Sequence, residues 1–181
     1  HHIILSGAAN TTPEYRAVER AVADVHADGT IARIGDAFTI GGVRLDVYAP
    51  VGDASHVDDL NAASVVMRLT YGASHIMLMG DATADIEQKL LEEHTDLSAD
   101  ILKVGHHGSR FSSTPAFLDA VHAKDAVIEV GKNNYGHPSR QTLARLASRS
   151  TRVWRTDRDG SVRAILRGNV VRVCIRSIFC R

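Results

Sequence analysis

Three short loops rich in glycine, each following a run of apolar residues, constrain this chain more than any other feature. Gly80-Asp81-Ala82 follows the run 76–79, Gly105-His106-His107-Gly108-Ser109 follows 101–104, and Gly131-Lys132-Asn133-Asn134-Tyr135-Gly136-His137-Pro138 follows 126–130. Continuous apolar runs of that length, bounded by turn residues, read as buried strands. Helical spacing fills the intervals. Residues 83–94 place Ile86, Leu90 and Leu91 inward, Thr114-Pro115 opens a helix with Phe117, Leu118 and Val121, and Ser139 caps one with Leu143 and Leu146. Strands alternating with helices of about ten residues predict an α/β layered fold.

The remainder is consistent with that layout. Thr12-Pro13 opens a first helix with Tyr15, Val18, Val22 and Val25 at helical spacing. The short runs 31–34, 37–40 and 43–47, broken by Gly35 and Gly41-Gly42, read as a β hairpin region, and 50–61 as a loop. Runs 65–69 and 76–79 are strands around Tyr71-Gly72, and 152–155 and 162–166 flank an Asp159-Gly160 hairpin signal. His1 and His2 carry no weight in this reading, and residues 170–181 have no assigned role. With 181 residues, 44% of them hydrophobic, no internal repeat and no linker, residues 1–181 are expected to form one domain. This excludes a disordered polymer, a collagenous repeat and a small disulfide scaffold. No apolar run approaches the roughly 20 residues of a membrane helix, and the opening residues do not read as a signal peptide. Cys174 and Cys180 could pair or stay free.

Charge is balanced in sum but not in distribution. Residues 140–181 hold eleven arginines, no lysine and two acids, Asp157 and Asp159; residues 1–139 hold ten basic and nineteen acidic residues. A basic final stretch is either a surface for a polyanion or a solvated arginine-rich face.

The chemistry is expected in the three loops. In α/β folds ligands bind at the carboxyl ends of strands, so neighbouring strands would bring Asp81, His106, His107 and His137 to one patch. Carboxylate plus imidazole is a ligand set for zinc, manganese or iron. Taken singly, each has a structural alternative: Asp81 could cap the following helix, and His137 could be a turn residue. Adjacent imidazoles between glycines are harder to explain structurally. His26, His56, His75, His94 and His122 are assigned no function.

The same residues carry a family resemblance. Asn61-Ala62-Ala63-Ser64-Val65-Val66, Tyr71-Gly72, Gly80-Asp81-Ala82, Leu102-Lys103-Val104-Gly105-His106-His107-Gly108-Ser109, Asn134-Tyr135-Gly136-His137-Pro138, Arg155-Thr156-Asp157 and Gly160 follow in that order. Order and spacing resemble the C-terminal metallo-β-lactamase-fold domain of the ComEC family of DNA-internalisation competence proteins, over roughly residues 30–166. The resemblance implies a metallo-β-lactamase-like αββα sandwich with a metal centre at the sheet edge. It implies divalent ions, Zn or Mn, binuclear in the complete domain. Asp81 would be the bridging carboxylate and His137 a ligand. His106 and His107 would act on the phosphate, with His106 alternatively a ligand. Lys103, Ser109 and Asn134 would contact phosphate or oxyanion. The implied activity is hydrolysis of phosphodiesters as the DNA nuclease domain of a DNA-uptake protein. Alternatives are a non-catalytic DNA-handling domain without its metals, or a small-molecule phosphodiesterase. The implied setting is a soluble domain joined to a membrane-embedded channel portion of the same parent protein, on the extracytoplasmic side of a bacterial membrane. One departure matters: the superfamily's His-x-His-x-Asp-His motif is missing from this chain. Either the chain is a later portion of such a domain, or the motif has degenerated. Full hydrolysis by this chain alone is therefore not expected.

Overall fold

The computed structural model describes residues 1–93 and 96–175. In chain order the elements are β1 (His2–Leu5), α1 (Pro13–Asp24), β2 (Asp28–Ile31), β3 (Ala37–Ile40), β4 (Val43–Ala49), β5 (Val66–Tyr71) and β6 (Ser74–Leu78). They continue with α2 (Ala84–Glu92), β7 (Ile101–Lys103), α3 (Pro115–Val121), β8 (Asp125–Ile128) and α4 (Arg140–Ala147). β9 (Arg152–Arg155), α5 (Thr156–Asp159), β10 (Val162–Arg167) and β11 (Val170–Ile175) complete the described chain.

A seven-stranded sheet in the order β3-β4-β5-β6-β7-β8-β9 organises the molecule. β3 to β6 are antiparallel; tight turns at Gly41-Gly42 and Gly72, whose positive φ values suit the primed hairpin turns, join β3 to β4 and β5 to β6, and residues 50–65 join β4 to β5. β6 to β9 are parallel, connected through α2, α3 and α4. The α/β class predicted from strand–helix alternation is therefore what the chain adopts. The parallel register aligns Met77, Leu102, Ala126 and Val153 in one row. Met77, Leu102 and Ala126 are buried, and they pack with Ile86 and Leu90 of α2, Phe117, Leu118 and Val121 of α3 and Leu146 of α4. A sheet face covered by helices needs apolar side chains along such a row.

The helix starts follow their caps. Thr12, Thr114 and Ser139 each accept a hydrogen bond from the backbone N–H three residues on. Buried Glu87 supplies a further set of acceptors, taking the N–H groups of Ser113 and of Thr114 at the start of α3. Its carboxyl is pushed above the usual carboxylate range by burial, against the pull of those two donors.

Two expectations are corrected. Runs 152–155 and 162–166 do not form a hairpin. Asp159 turns back to accept from the Arg155 N–H at 2.8 Å, and residues 156–159 form a helical turn ended by Gly160. β9 is thus an edge of the large sheet, while β10 pairs with β11, which places residues 170–175 in a ribbon. The ribbon is tied to the β5–β6 turn where Ser74 Oγ donates to the Gly168 carbonyl at 2.8 Å. The run 31–34 is not a hairpin strand either. β2 ends at Ile31 and pairs in parallel with β1, so His2 belongs to a strand. The apolar stripe of α1 stays open, with Val18 and Val25 48% and 54% exposed. Among the described residues no helix is long and apolar enough to cross a membrane. His94 and Cys180 lie outside the described residues.

Candidate functional site

Because β6, β7 and β8 are adjacent and parallel, their carboxyl ends lie side by side, and the three glycine-rich loops leave from one edge. Backbone contacts draw the loops together. The Gly80 carbonyl accepts from the His106 N–H and from Lys103 Nζ, both at 3.1 Å. Gly108 accepts from the Ser139 N–H at 2.8 Å. A Cβ at Gly105 would lie 2.8 Å from the Ala82 carbonyl, and one at Gly108, where φ is +80°, 2.7 Å from Pro138 Cβ. Only glycine permits both approaches. Ser64, from the 61–66 segment, accepts from the Asp81 N–H at 3.1 Å and so fixes the first loop.

The side chains converge as the loops do. Asp81 Oδ1 and His107 Nε2 face each other at 3.4 Å. The Asp81 carboxylate is thus turned to an imidazole, while Thr83 occupies the N-cap position of α2. His107 Nδ1 lies 2.6 Å from the Glu129 carbonyl. A carbonyl can only accept, so Nδ1 carries the proton, and in the neutral ring Nε2 presents its lone pair to Asp81. His106 packs edge-on against His107 and His137, with ring centroids at 6.4 and 5.6 Å. Its Nδ1 is buried without a hydrogen-bond partner. Burial first, then the neighbouring His106 and His107, pushes the His137 imidazole below its ordinary range, so it stands neutral at pH 7. His106 and His107 both have left-handed backbones, at φ 46° and 53°.

The residues expected to contact substrate are placed differently. Lys103 is braced inside the site by Gly80 and by Glu129 Oε2 at 3.6 Å. Ser109 is buried; its Oγ accepts from Phe111 N–H, and its carbonyl accepts from Thr142 Oγ1 at 2.7 Å. Asn134 is exposed, and its neighbour Asn133 organises the loop. Asn133 Oδ1 accepts from Tyr135 and His137 N–H groups, and its Nδ2 donates to the His137 and Gly131 carbonyls. Asparagine folding its side chain onto nearby backbone is a turn signal, and from the sequence it is Asn134, rather than Asn133, that is singled out. Phe111, Arg110 and Arg140 rim a groove beside His106 and His137 and carry no functional signal in the sequence; Tyr135, on the same rim, stands in a family motif without an assigned role.

As a metal site the donor set is partial. An Asp81–His107 pair whose imidazole donates its far N–H to a carbonyl matches how metal-bound histidines are oriented, and the orphan His106 Nδ1 is a further donor lacking a partner. Among the described residues, no three such donors are grouped closely enough to hold an ion by themselves. The residues fit a divalent cation as part of its coordination shell.

The chain is thus a mixed α/β protein with a carboxylate–imidazole cluster at the carboxyl edge of its sheet. It is a homologue of the competence proteins of the ComEC family. It is 36% identical over 129 residues to ComE operon protein 3 of Bacillus subtilis (strain 168), covering 71% of this chain and 16% of that protein. It is 33% identical over 123 residues to Competence protein ComA of Neisseria gonorrhoeae, covering 67% and 18%. It is 31% identical over 123 residues to Recombination protein 2 of Haemophilus influenzae, covering 67% and 15%. The chain therefore spans less than a fifth of the length of these relatives. No protein-family model matches. Two solved structures show partial likeness. One is a Thermotoga maritima protein described as a Zn-dependent hydrolase of the metallo-β-lactamase superfamily (TM-score 0.34, 18% identity, 60% of this chain and 53% of that one). The other is a Parabacteroides distasonis protein described as a metal-dependent hydrolase (TM-score 0.48, 13% identity, 85% and 74%).

Proposed function

We propose that this chain contributes the Asp81 side of a metal-dependent phosphodiesterase site, acting on DNA in a competence-type protein. One observation carries the reading: Asp81 Oδ1 and His107 Nε2 face each other across 3.4 Å while His107 Nδ1 is committed to the Glu129 carbonyl, so in the neutral ring two lone pairs meet. Two electron-pair donors held that way repel unless a cation or a proton lies between them. As a bare ion pair it would contribute at most about 1 kcal/mol, since both side chains are more than two-fifths exposed. Holding His106 and His107 in left-handed backbone costs about 1–3 kcal/mol each. The arrangement therefore costs more than it returns in stability, which supports a ligand-binding purpose.

Asp81 and His107 would hold a divalent ion together, with the binuclear form requiring ligands beyond those present here. When bound, such an ion supplies hydroxide near neutral pH and neutralises phosphate oxygens. His107 is kept in one tautomer by Glu129, and Lys103 holds the Gly80 turn that presents Asp81. His106 and neutral His137 stand ready to accept or share a proton at the reacting phosphate. DNA as substrate is in keeping with the competence names of the relatives, and a place beside a membrane-embedded portion of the parent protein, on its outer side, rests on the family resemblance alone.

In the full-length protein, Asp81→Ala and His107→Ala each abolish Mn- or Zn-dependent cutting of labelled DNA and weaken metal binding in calorimetry. Unchanged cutting in Asp81→Ala defeats the assignment. The sparse donor set favours a second reading, a DNA-handling domain without metal; salt-sensitive DNA binding unaffected by chelator, with no cutting, would establish it.

A further inference from the structure

A row of rings leads away from Asp81 and His107. His106 follows His107 at 6.4 Å, His137 follows at 5.6 Å, and Tyr135 stacks on His137 at 6.0 Å with 28° between the planes. Tyr135 ends the row and is 84% exposed. It borders a groove of about 540 Å³ whose lining also includes Phe111, 60% exposed, with the Arg110 guanidinium 4.6 Å above its ring. Arg140 and Gln141 line the groove too. The chain has nine aromatic residues, and leaving two of them at one groove sacrifices burial that a small core could use. Neither sits on a slack loop. The Tyr135 N–H is clamped by Asn133 at 3.1 Å, and the Phe111 carbonyl accepts from Ala84 N–H at 2.8 Å. Among the described residues, Arg110 and Arg140 have no carboxylate partner, unlike Arg149, Arg152, Arg155 and Arg158.

We propose that this groove is a subsite for single-stranded nucleic acid, in which Tyr135 and Phe111 stack unpaired bases while Arg110 and Arg140 face the phosphates. The proposal rests on the hydrolase reading only for its purpose: the subsite leads a strand toward Asp81 and His107. Bases within a duplex have both faces covered, so exposed rings on fixed backbone select bases that are unpaired. Stacking tolerates any base, as a site handling arbitrary sequence requires. Pre-ordered loops reduce the entropy lost on binding.

The test is fluorescence anisotropy of the chain with a short fluorescein-labelled oligothymidylate in chelator, where no cutting occurs. An abasic strand of equal length and a blunt duplex are measured alongside. The oligothymidylate should bind more tightly than either. Tyr135→Ala and Phe111→Ala should each weaken it roughly 5- to 140-fold and leave the abasic strand unaffected. Tyr135→Phe should retain binding. Both positions are exposed, so thermal melting should show the variants folded. Absent binding, equal binding of the abasic strand or the duplex, or no loss in both alanine variants overturns the proposal. Asp81→Ala separates the two readings. In this chain it should leave the anisotropy intact, and if the same variant of the full-length protein still cuts DNA with metal present the hydrolase reading fails while the stacking subsite stands.

Discussion

At the scale of single residues, identity was legible before conformation was. Asp81, His106, His107 and His137 are marked in the sequence by glycines and by position after apolar runs, and the structure brings all four to one edge. Which nitrogen of His107 faces Asp81 was not legible, because it depends on the Glu129 carbonyl, a main-chain atom that any residue could supply. Asn133 and buried Glu87 escaped for the same reason: their partners are backbone N–H groups of distant or adjacent turns. His137 gives a residue-scale prediction. Its folded-state affinity for protons lies below that of the unfolded chain, whose ordinary imidazole titrates near 6.5. Acid therefore favours the unfolded state. The contribution of His137 is fully present above about pH 6.5 and is lost as pH falls through its depressed folded value. Thermal melts in chelator between pH 8 and 5 should show the wild type losing stability with acidification and His137→Gln losing less; identical slopes would remove the effect from His137.

At the scale of elements, the strands and helices with matching periodicity and caps were readable, and those depending on a partner were not. β6, β7, β8 and the three crossover helices follow from apolar runs and from Thr114 and Ser139. The Asp159-Gly160 pair misled because its carboxylate satisfies Arg155 N–H within a helical turn, a use that a two-residue hairpin signal does not reveal. The stripe on α1 has helical spacing but no buried residue, so periodicity predicted the helix and not its packing. The 105–108 turn yields a firm expectation. Gly108→Ala combines a left-handed backbone with a methyl group 2.7 Å from Pro138. The strain alone is roughly 1–3 kcal/mol. Chemical denaturation should show at least that loss, and the displaced 105–108 turn, which carries His107, should weaken metal binding in the same variant.

At the scale of the whole molecule, the arginine-rich end does not act as an uninterrupted basic face. Arg149 pairs with Asp119, Arg152 with Asp125, Arg155 with Asp157 and Arg158 with Asp159. Counting charge along the sequence could not reveal this, since two of the four acids lie outside the arginine-rich stretch. Fewer guanidiniums remain for phosphate than the composition promises. For single-stranded DNA, Arg140→Ala should lower the slope of log affinity against log salt by about 0.7, while Arg158→Ala should leave it unchanged. Equal effects from both would mean that the paired arginines also reach the strand.

In the large sheet, every strand lies beside its neighbour in the chain. Such an order lets pairing proceed in the direction of synthesis, each new strand docking on a finished edge without a long search. The chemistry, however, is distributed over loops leaving three successive strands and closes only when Pro138 meets Gly108. A polypeptide halted on the ribosome short of residue 137 would already possess most of its sheet and Asp81, yet lack His137 and the proline that meets Gly108. The cluster thus closes only after the strands that support it have been made.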